Sequence, residues 1–198
     1  MIPSNGTASS SINFFFRMTQ RPRVFSNKIL FRGDYFTVMT SFVTLPDGTR
    51  ITREIAERRS SVAVVAVDAD KKVLLVEEYQ PAIQRIALGL PGGQVDQGER
   101  SVQSAKRELR EETGFSAAEW KLLYNWPGAG SWIWPRTCYL ARKLSNRPLP
   151  QDPEERIVVK RLPLKRAVQM AIKGQLDTSD TCLALIRAYE LIYRKKLL

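Results

Sequence analysis

The sequence predicts an α/β fold in which a mixed β-sheet is flanked by helices. Two runs rich in β-branched residues, Val62–Val67 and Val73–Val76, are typical of buried strands joined as a hairpin. Apolar residues then recur at helical spacing at Val102, Ala105 and Leu109. Because strand and helix patterns continue to alternate towards the C-terminus, we expect helices on both faces of one sheet.

The first 33 residues carry basic side chains and no acidic ones. They also contain several serines and the apolar run Phe14–Phe16. This composition is typical of a mitochondrial transit peptide and also of a basic tail. We interpret residues 1–23 as a basic tail or targeting segment, and a cytoplasmic location is the default expectation.

Residues 24–57 predict a small antiparallel unit. Val24–Phe31 leads into a strand over Asp34–Thr44, the turn Pro46–Gly48 follows, and Arg50–Ile55 returns. We assign residues 58–198 to the main domain, which begins with the hairpin named above.

The middle of the main domain combines strands, a glycine loop and a helix. A short strand at Ala87–Leu90 leads into the loop Pro91–Gly93, and a helix follows with Ser101 as the expected N-cap and Gly114 as its left-handed C-terminal residue. Two further strands are expected at Trp120–Tyr124 and Thr137–Ala141, joined by a loop over Trp126–Pro135. The three tryptophans of that loop are either core residues, which we favour, or a stacking platform for a base.

The C-terminal part predicts a connector, a strand and two helices. The proline-rich connector carries Glu154 and Glu155, and the following elements are a strand at Ile157–Arg161 and a helix at Pro163–Lys173 that ends at Gly174. Asp177 or Thr178 is the expected cap of a last helix, whose packed side should include Leu183, Ile186 and Leu191.

Composition favours one enzyme-sized domain. The chain has 198 residues, of which 43% are hydrophobic, and no apolar run approaches the length of a membrane span. Two cysteines, Cys138 and Cys182, are too few for a disulfide framework or a zinc site, and we expect two buried thiols. The absence of histidine excludes histidine bases and histidine metal ligands.

The formal net charge of +11 has two interpretations. A basic surface attracts polyphosphates or RNA, and it also keeps a protein soluble. RNA is therefore a possible partner on the ground of charge alone.

A charged cluster lies on the predicted central helix. Arg107, Glu108, Glu111 and Glu112 fall within one arc at 100° per residue. Carboxylate oxygens gathered in this way suit hard cations such as Mg²⁺ or Mn²⁺. The alternative is a solvated helix face on which Arg–Glu pairs support the helix.

The stretch from Gly93 to Phe115 resembles the Nudix box at every position of that motif: Gly93, Glu99, Arg107, Glu108, Leu109, Glu111, Glu112, Gly114 and Phe115. The chain is thereby identified as a member of the Nudix hydrolase family. This resemblance favours the metal site over a solvated helix face, and it implies metal-assisted cleavage of a diphosphate.

Further segments resemble the ADP-ribose pyrophosphatase branch of that family, namely GDYF, LPDG, EYQPAI and GQLDTSDTCLAL. The resemblance implies an α/β/α sandwich whose small N-terminal antiparallel sheet helps to form a homodimer. It also implies Mg²⁺-dependent hydrolysis of a nucleoside diphosphate derivative, with ADP-ribose cleaved to AMP and ribose 5-phosphate.

The same resemblance suggests roles for individual residues. The expected metal ligands are Glu108, Glu111, Glu112 and the carbonyl of Gly92. Arg107 is expected to orient the carboxylates, because one cation does not coordinate another. Glu99 supports the helix or a second metal.

The expected catalytic base is Glu155, with Glu154 next, since the branch takes its base from a mobile loop before a C-terminal strand. A solvated loop is the alternative for both residues. Tyr35 aligns with an aromatic residue that stacks on adenine, and its alternative is an ordinary strand-edge aromatic.

Two positions depart from the pattern of the branch. Gln80 stands where an arginine usually contacts phosphate, and Gly89 stands where a glutamate is usual. Loss of one charge-assisted contact costs roughly 1.5 to 3 kcal/mol unless Arg53, Arg58 or Arg85 replaces it. A different nucleoside diphosphate derivative is therefore an alternative substrate. The positive charge and the tryptophan loop favour a second alternative, an RNA 5′-end pyrophosphohydrolase, and the third alternative is a non-catalytic module that binds RNA or an assembly.

Overall fold

A computed structural model describes residues 21–151 and 156–194 of the chain. Its strands are β1 (Arg23–Arg32), β2 (Phe36–Thr44), β3 (Arg50–Arg58), β4 (Ser61–Val67), β5 (Lys72–Gln80), β6 (Arg85–Gly89), β7 (Phe115–Ala129), β8 (Trp132–Asn146) and β9 (Val158–Pro163). Its helices are α1 (Ser101–Thr113), α2 (Leu164–Ile172) and α3 (Ser179–Tyr189), and the π-helical turn Glu190–Arg194 continues α3.

The strands form one mixed sheet in the order β1-β2-β3-β8-β4-β5-β6, with β7 paired to β8 and β9 paired to β5. Strand β4 runs parallel to β8 and antiparallel to β5. The hairpin predicted from the two β-branched runs is therefore present as β4 and β5.

Every residue of β4 is buried, because helices cover both faces of the sheet at this point. Val62 and Val64 face α1 and pack against Leu109. Val65 and Val67 alternate to the opposite face, where they pack with residues of α2 and α3. This arrangement is the α/β/α sandwich that the sequence predicts.

The three N-terminal strands pair antiparallel with one another, as expected. They are also continuous with the central sheet, since Ala56 and Glu57 of β3 pair in parallel with Trp132 and Ile133 of β8. All ten residues of the edge strand β1 are exposed. Its exposed large apolar side chains are Val24, Phe25, Ile29, Leu30 and Phe31.

The loop predicted over Trp126–Pro135 is wrong, because β7 and β8 extend into a long hairpin through most of that stretch. A register shift between Trp126 and Gly128 accommodates Pro127 within the strand. Trp126 and Trp132 are 45% and 54% exposed, so the core interpretation is wrong for these two residues. Trp134 is half-buried.

The expected cap of α1 is also wrong. Arg100 occupies the N-cap position, and its backbone N–H donates to Oε1 of Gln103 at 3.0 Å. The hydroxyl of Ser101 is instead hydrogen-bonded to the hydroxyl of Tyr139 at 2.8 Å. Gly114 ends the helix with a φ of 76°, as expected.

The last helix is capped by Thr178, whose Oγ1 accepts from the backbone N–H of Thr181 at 3.3 Å. Leu191 packs against the core as predicted, but Leu183 and Ile186 are exposed, so the prediction is wrong for these two residues. The buried residues of α3 are Thr181, Ala184, Leu185 and Ala188.

Three remaining expectations concern single features. Cys138 is buried, but Cys182 is only partly buried. Glu154 and Glu155 lie outside the described residues. Within the described parts of the chain, no helix has the length and apolarity needed to cross a membrane.

Candidate active site

The loop after β6 is fixed against the start of β4. The backbone N–H of Val62 donates to the carbonyl of Gly93 at 2.9 Å, and that of Val64 donates to the carbonyl of Pro91 at 2.8 Å. Gly92 has a φ of 153°, and a Cβ at this position would lie 2.1 Å from the carbonyl oxygen of Val62. Only glycine therefore fits at position 92. The close approach of the loop to β4 also brings it near α1.

Arg107 lies at the centre of a charged network. Its Nη1 donates to Oε1 of Glu108 at 2.8 Å and to Oε2 of Glu111 at 2.9 Å. Its Nη2 donates to Oε2 of Glu99 at 3.3 Å and to the carbonyl of Gln94 at 3.1 Å. One guanidinium group thus connects three carboxylates of the box with the loop.

The network favours the charged forms of Arg107 and Glu99. Burial disfavours the charged form of Arg107, but attraction by Glu108 and hydrogen bonds to Glu99 and Glu111 outweigh it and raise the pKa of Arg107. Burial also acts to raise the pKa of Glu99. Hydrogen bonds from Ser104, at 2.7 Å, and from Arg107 outweigh that effect and lower it.

Two carboxylates lie buried at the junction of loop and helix. Glu108 and Glu112 are 7% and 8% exposed. Oε2 of Glu112 accepts a hydrogen bond from the backbone N–H of Gly92 at 2.8 Å. The loop also presses on Glu108, since a Cβ on Gly93 would lie 2.4 Å from its Oε1. Buried carboxylates need donors or cations around them, and both are present here.

The chemistry of this donor set fits a hard divalent cation, because three carboxylates extend from one helix beside a loop. Among residues 21–151 and 156–194, however, no three acidic or cysteine side chains are arranged to hold a metal ion. Arg107 accounts for this, since its Nη1 bonds both Glu108 and Glu111 as their counter-cation. For a divalent ion to bind, Glu108 and Glu111 must therefore turn away from Arg107. In the structure, Gly92 contacts the carboxylates through its backbone N–H, which donates to Glu112.

The residues predicted to bind substrate have separate surroundings. Arg85 forms an ion pair with Asp177. Nε2 of Gln80 donates to Oε2 of Glu78 at 2.7 Å. Arg53 is exposed, and its Nη1 donates to the carbonyl of Thr52 at 2.9 Å.

Tyr35 is 61% exposed. It contributes to a surface cavity of about 290 Å³ between the end of β1 and the end of β3. A ring so exposed is available for stacking by a ligand.

Sequence reasoning missed several partners of Arg107. Gln94 offers its carbonyl, Ser104 hydrogen-bonds Glu99, and Oδ2 of Asp96 lies 3.5 Å from Nη2 of Arg107. Ser104 lies three residues before Arg107 on the same helix, a spacing that places both on one face. No local signal reveals the roles of Gln94 and Asp96, because the loop fold places them.

The site thus combines buried carboxylates of α1 with a glycine loop in an α/β/α sandwich. The family model described as "NUDIX domain" matches residues 57–181. The chain belongs to the Nudix hydrolase family, as its Gly93–Phe115 stretch predicts.

Similar proteins cover most of the chain. The methanol dehydrogenase activator of Bacillus methanolicus is 29% identical over 160 residues, which are 78% of this chain and 85% of that protein. The ADP-ribose pyrophosphatase of Mycobacterium tuberculosis is 30% identical over 158 residues, 78% of this chain and 76% of that protein. A crystal structure of an ADP compounds hydrolase superposes with a TM-score of 0.79 at 24% identity, covering 90% of this chain and 98% of that one. The last likeness confirms the fold.

Proposed function

We propose that this protein hydrolyses ADP-ribose to AMP and ribose 5-phosphate and requires Mg²⁺ or Mn²⁺. The observation that carries the reaction class is the network in which Arg107 bonds Glu99, Glu108 and Glu111 within a complete Nudix box. The similarity to an ADP-ribose pyrophosphatase over most of both chains supports the substrate. More broadly, the substrate is a nucleoside diphosphate linked to a second moiety.

The proposed metal ligands are Glu108, Glu111, Glu112 and the carbonyl of Gly92. A divalent ion, when bound, neutralises phosphate oxygens and lowers the pKa of a water molecule. Burial of Glu108 and Glu112 strengthens their attraction for a cation, because electrostatic interactions are stronger where water is excluded. In this proposal Arg107 orients the carboxylates and does not ligate the metal.

A base must accept the proton of the attacking water. We propose Glu155 for this role, with Glu154 as the second candidate. Both residues lie outside the described part of the chain, so this role follows only from the family resemblance. Glu155→Gln and Glu154→Gln, compared in kcat, distinguish them: loss of about a hundredfold or more identifies the base.

The proposed substrate contacts fall into two groups. Tyr35 stacks on the nucleobase, which its exposed ring supports. Arg53 is the more available phosphate contact, because Arg85 is already paired with Asp177 and Gln80 is hydrogen-bonded to Glu78. Arg85 and Gln80 bind substrate only if those partners are exchanged.

We also propose a homodimer formed through the N-terminal strands. The exposed apolar side chains of β1, including Phe25 and Phe31, support an interface at this edge. Light scattering at several concentrations, on the protein and on a Phe25→Ser/Phe31→Ser variant, tests the dimer. A cytoplasmic location is part of the same proposal, with residues 1–23 as a segment that directs mitochondrial import as the alternative.

A substrate panel tests the function. ADP-ribose, other nucleoside diphosphate sugars and dinucleotides are incubated with Mg²⁺ or Mn²⁺, with and without EDTA. We expect AMP and ribose 5-phosphate from ADP-ribose, and no product with EDTA. The variant Glu111→Gln should lose about a hundredfold or more in kcat while its melting temperature is retained. A panel that is inert throughout overturns the proposal.

A second candidate is RNA 5′-end pyrophosphohydrolase. A surface cavity of about 270 Å³ beside α1 is lined by Lys106, Arg110, Ser116, Ala117, Trp120 and Arg147. Three cations beside an indole ring, with no acidic residue in the lining, suit a single-stranded polyanion. This candidate predicts pyrophosphate release from 5′-triphosphorylated RNA, with a rate that falls steeply as salt rises. Equal rates at low and high salt contradict it.

A further inference from the structure

The cavity of about 270 Å³ beside α1 has a basic lining that contains no carboxylate. Its cations are Lys106 and Arg110 of α1 and Arg147, which directly follows β8. Among residues 21–151 and 156–194, no acidic side chain forms an ion pair with any of these three. The cavity therefore gathers three positive charges that the described residues do not neutralise.

Other cations of the same region are neutralised. Glu119 of β7 pairs with Arg142 at 2.9 Å and with Lys143 at 2.6 Å. Arg110 lies in the last turn of α1, where a positive charge offsets the negative end of the helix dipole. That role accounts for one cation of the cavity and leaves the other two without a structural partner. Because like charges held near one another repel, a bound anion relieves their repulsion.

Backbone contacts fix the two arginines of the cavity relative to each other. Nε of Arg110 donates to the carbonyl of Arg147 at 2.9 Å. The backbone N–H of Arg147 donates to the carbonyl of Gly114 at 2.9 Å, and that of Leu149 donates to the carbonyl of Arg110 at 3.3 Å. This frame uses Nε of Arg110 and leaves the two Nη groups for a ligand. The planar fork of a guanidinium group matches two oxygens of a phosphate.

The indole of Trp120 forms another part of the lining. Its Nε1 donates to the carbonyl of Ala117 at 2.9 Å, and its ring packs edge-on against Tyr139 with the centroids 6.2 Å apart. These contacts fix the ring, which is half-buried and lines the cavity. Aromatic rings beside phosphate-binding cations hold nucleotides, because every base has a flat face that stacks. The small volume suits a single nucleotide unit.

The cavity and the carboxylates lie on different flanks of α1. At 100° per residue, Lys106 and Arg110 fall on one side of the buried residue Leu109. Glu108 and Glu111 fall on the other side, where they bond Arg107. A ligand in the cavity therefore leaves the carboxylates free to act.

We propose that this cavity binds a nucleoside monophosphate unit at a site separate from the carboxylates, with the phosphate between the three cations and the base against Trp120. The unit is either a free nucleotide or one residue of a single-stranded polynucleotide, since both have the same chemistry. This inference goes beyond the proposed function, because it requires no diphosphate to be cleaved.

Binding of AMP and its fragments tests the site. Calorimetry compares AMP, adenosine and inorganic phosphate with EDTA present, since the proposed diphosphate site binds through a divalent ion. AMP should bind about tenfold more tightly than either fragment, because only AMP has both a phosphate and a base. The double variant Lys106→Gln/Arg147→Gln, which alters two exposed side chains, should weaken AMP binding by about tenfold or more. Equal affinities of the unaltered protein for AMP and adenosine overturn the proposal.

Lys121→Gln/Arg166→Gln is the matched control. Both side chains are exposed and lie outside the cavity, and the variant removes the same amount of charge. It should change the affinity for AMP by less than about twofold. Equal weakening in the two double variants would show that net charge alone attracts the nucleotide, and this result overturns the proposal.

An adenosine hexanucleotide without a 5′ phosphate distinguishes the two sources of the ligand. Tighter binding than AMP, with an affinity that falls steeply as salt rises, identifies a single-stranded polynucleotide. Binding no tighter than that of AMP identifies a free nucleotide. In either case the tighter ligand must lose about tenfold in affinity for Lys106→Gln/Arg147→Gln, and retained affinity overturns the proposal.

Glu111→Gln separates this inference from the proposed function. The variant should lose turnover and yet bind AMP as the unaltered protein does, because Glu111 lies on the other flank of α1. Binding that depends on the cavity, together with an inert substrate panel, overturns the proposed function alone. Hydrolysis of ADP-ribose by a protein that binds neither AMP nor the hexanucleotide in EDTA overturns this inference alone.

Discussion

Arg107 and Glu111 form an ion pair one helical turn apart, with Nη1 2.9 Å from Oε2. The same nitrogen lies 2.8 Å from Oε1 of Glu108, so a single guanidinium offsets the repulsion between two carboxylates of α1. Because Nη2 also bonds the carbonyl of Gln94, the position of these carboxylates is coupled to the loop. We therefore expect Arg107 to act as a positioning residue.

Arg107→Lys tests this role. A lysine ammonium is a point charge that cannot span the acceptors that the planar guanidinium bonds at once. We expect kcat on ADP-ribose to fall by about 10- to 100-fold and the Mg²⁺ concentration for half-maximal activity to rise. Arg110→Lys on the same helix is the control, since Arg110 bonds the carbonyl of Arg147 instead. Unchanged kcat and metal response in Arg107→Lys contradict the prediction.

Glu99 should make the free energy of unfolding depend on pH in the acid range. Hydrogen bonds from Ser104 and Arg107 outweigh burial and lower its pKa in the folded state below that of the unfolded chain. Its contribution is therefore present above the ordinary carboxyl pKa of about 4.3 and is lost as pH falls through the folded value. Glu99→Gln should be less stable than the unaltered protein at pH 7, by an amount that shrinks towards about pH 3. Urea unfolding at both pH values measures this difference, and a gap independent of pH contradicts it.

Local patterns predicted the elements around the site. The β-branched runs became β4 and β5, and Gly114 ends α1 because its left-handed conformation suits glycine. The Nudix box placed Arg107 beside its carboxylates because three- and four-residue spacings lie on one helix face. These features depend on neighbours in sequence, so the sequence alone is enough to find them.

Other features depend on contacts between distant segments. Trp132 is exposed at the start of β8, where β8 pairs in parallel with β3, and no periodicity of the sequence encodes that pairing. Ser101 lost its capping role because the hydroxyl of Tyr139 lies within hydrogen-bond distance. The stacking of Arg58 on Trp134 also joins residues from separate strands. Tertiary packing decides each of these positions.

The two cysteines should differ in reactivity. Burial, which exceeds the opposing effects of Tyr124 and Arg136, raises the pKa of Cys138 to about 12, and this residue is 1% exposed. Cys182 also has a raised pKa from burial but is only partly buried. Iodoacetamide at pH 8 should label Cys182 first, as measured by peptide mass spectrometry. Labelling in denaturant, where both should react alike, is the control, and equal rates in the native protein contradict the prediction.

The raised pKa of Cys138 also gives an alkaline dependence. The neutral thiol is favoured in the folded state, so its contribution to stability is fully present below the unfolded pKa of about 8.5. That contribution is lost as pH rises towards the folded value of about 12. When the pH rises from 8 to about 10, the free energy of unfolding of Cys138→Ala should therefore fall by less than that of the unaltered protein. Urea unfolding at several pH values measures this difference. Plots of the free energy of unfolding against pH that run parallel for the two proteins would show that another group dominates in this range.

Gly93 lies so close to Glu108 that a methyl group does not fit. A Cβ there would lie 2.4 Å from Oε1 and 2.7 Å from the carboxyl carbon. The obstacle is a side chain, which can move, and the backbone of Gly93 is not in the left-handed region. Gly93→Ala should therefore displace the carboxylate and lower kcat by about a hundredfold, as expected for a misplacement of roughly 1 Å.

Two neighbouring glycines separate this effect from loss of folding. Gly92→Ala places a methyl group 2.1 Å from the backbone carbonyl oxygen of Val62 at a φ of 153°, so it should lower the melting temperature strongly. A Cβ on Gly89 would have no atom within 4 Å, so Gly89→Ala should change neither kcat nor the melting temperature. A Gly93→Ala protein with a nearly unchanged melting temperature and a low kcat shows that the position of Glu108 matters for the reaction. If kcat stays at the level of Gly89→Ala, the carboxylate of Glu108 is not a metal ligand whose position the loop controls, and the proposed ligand set loses that member.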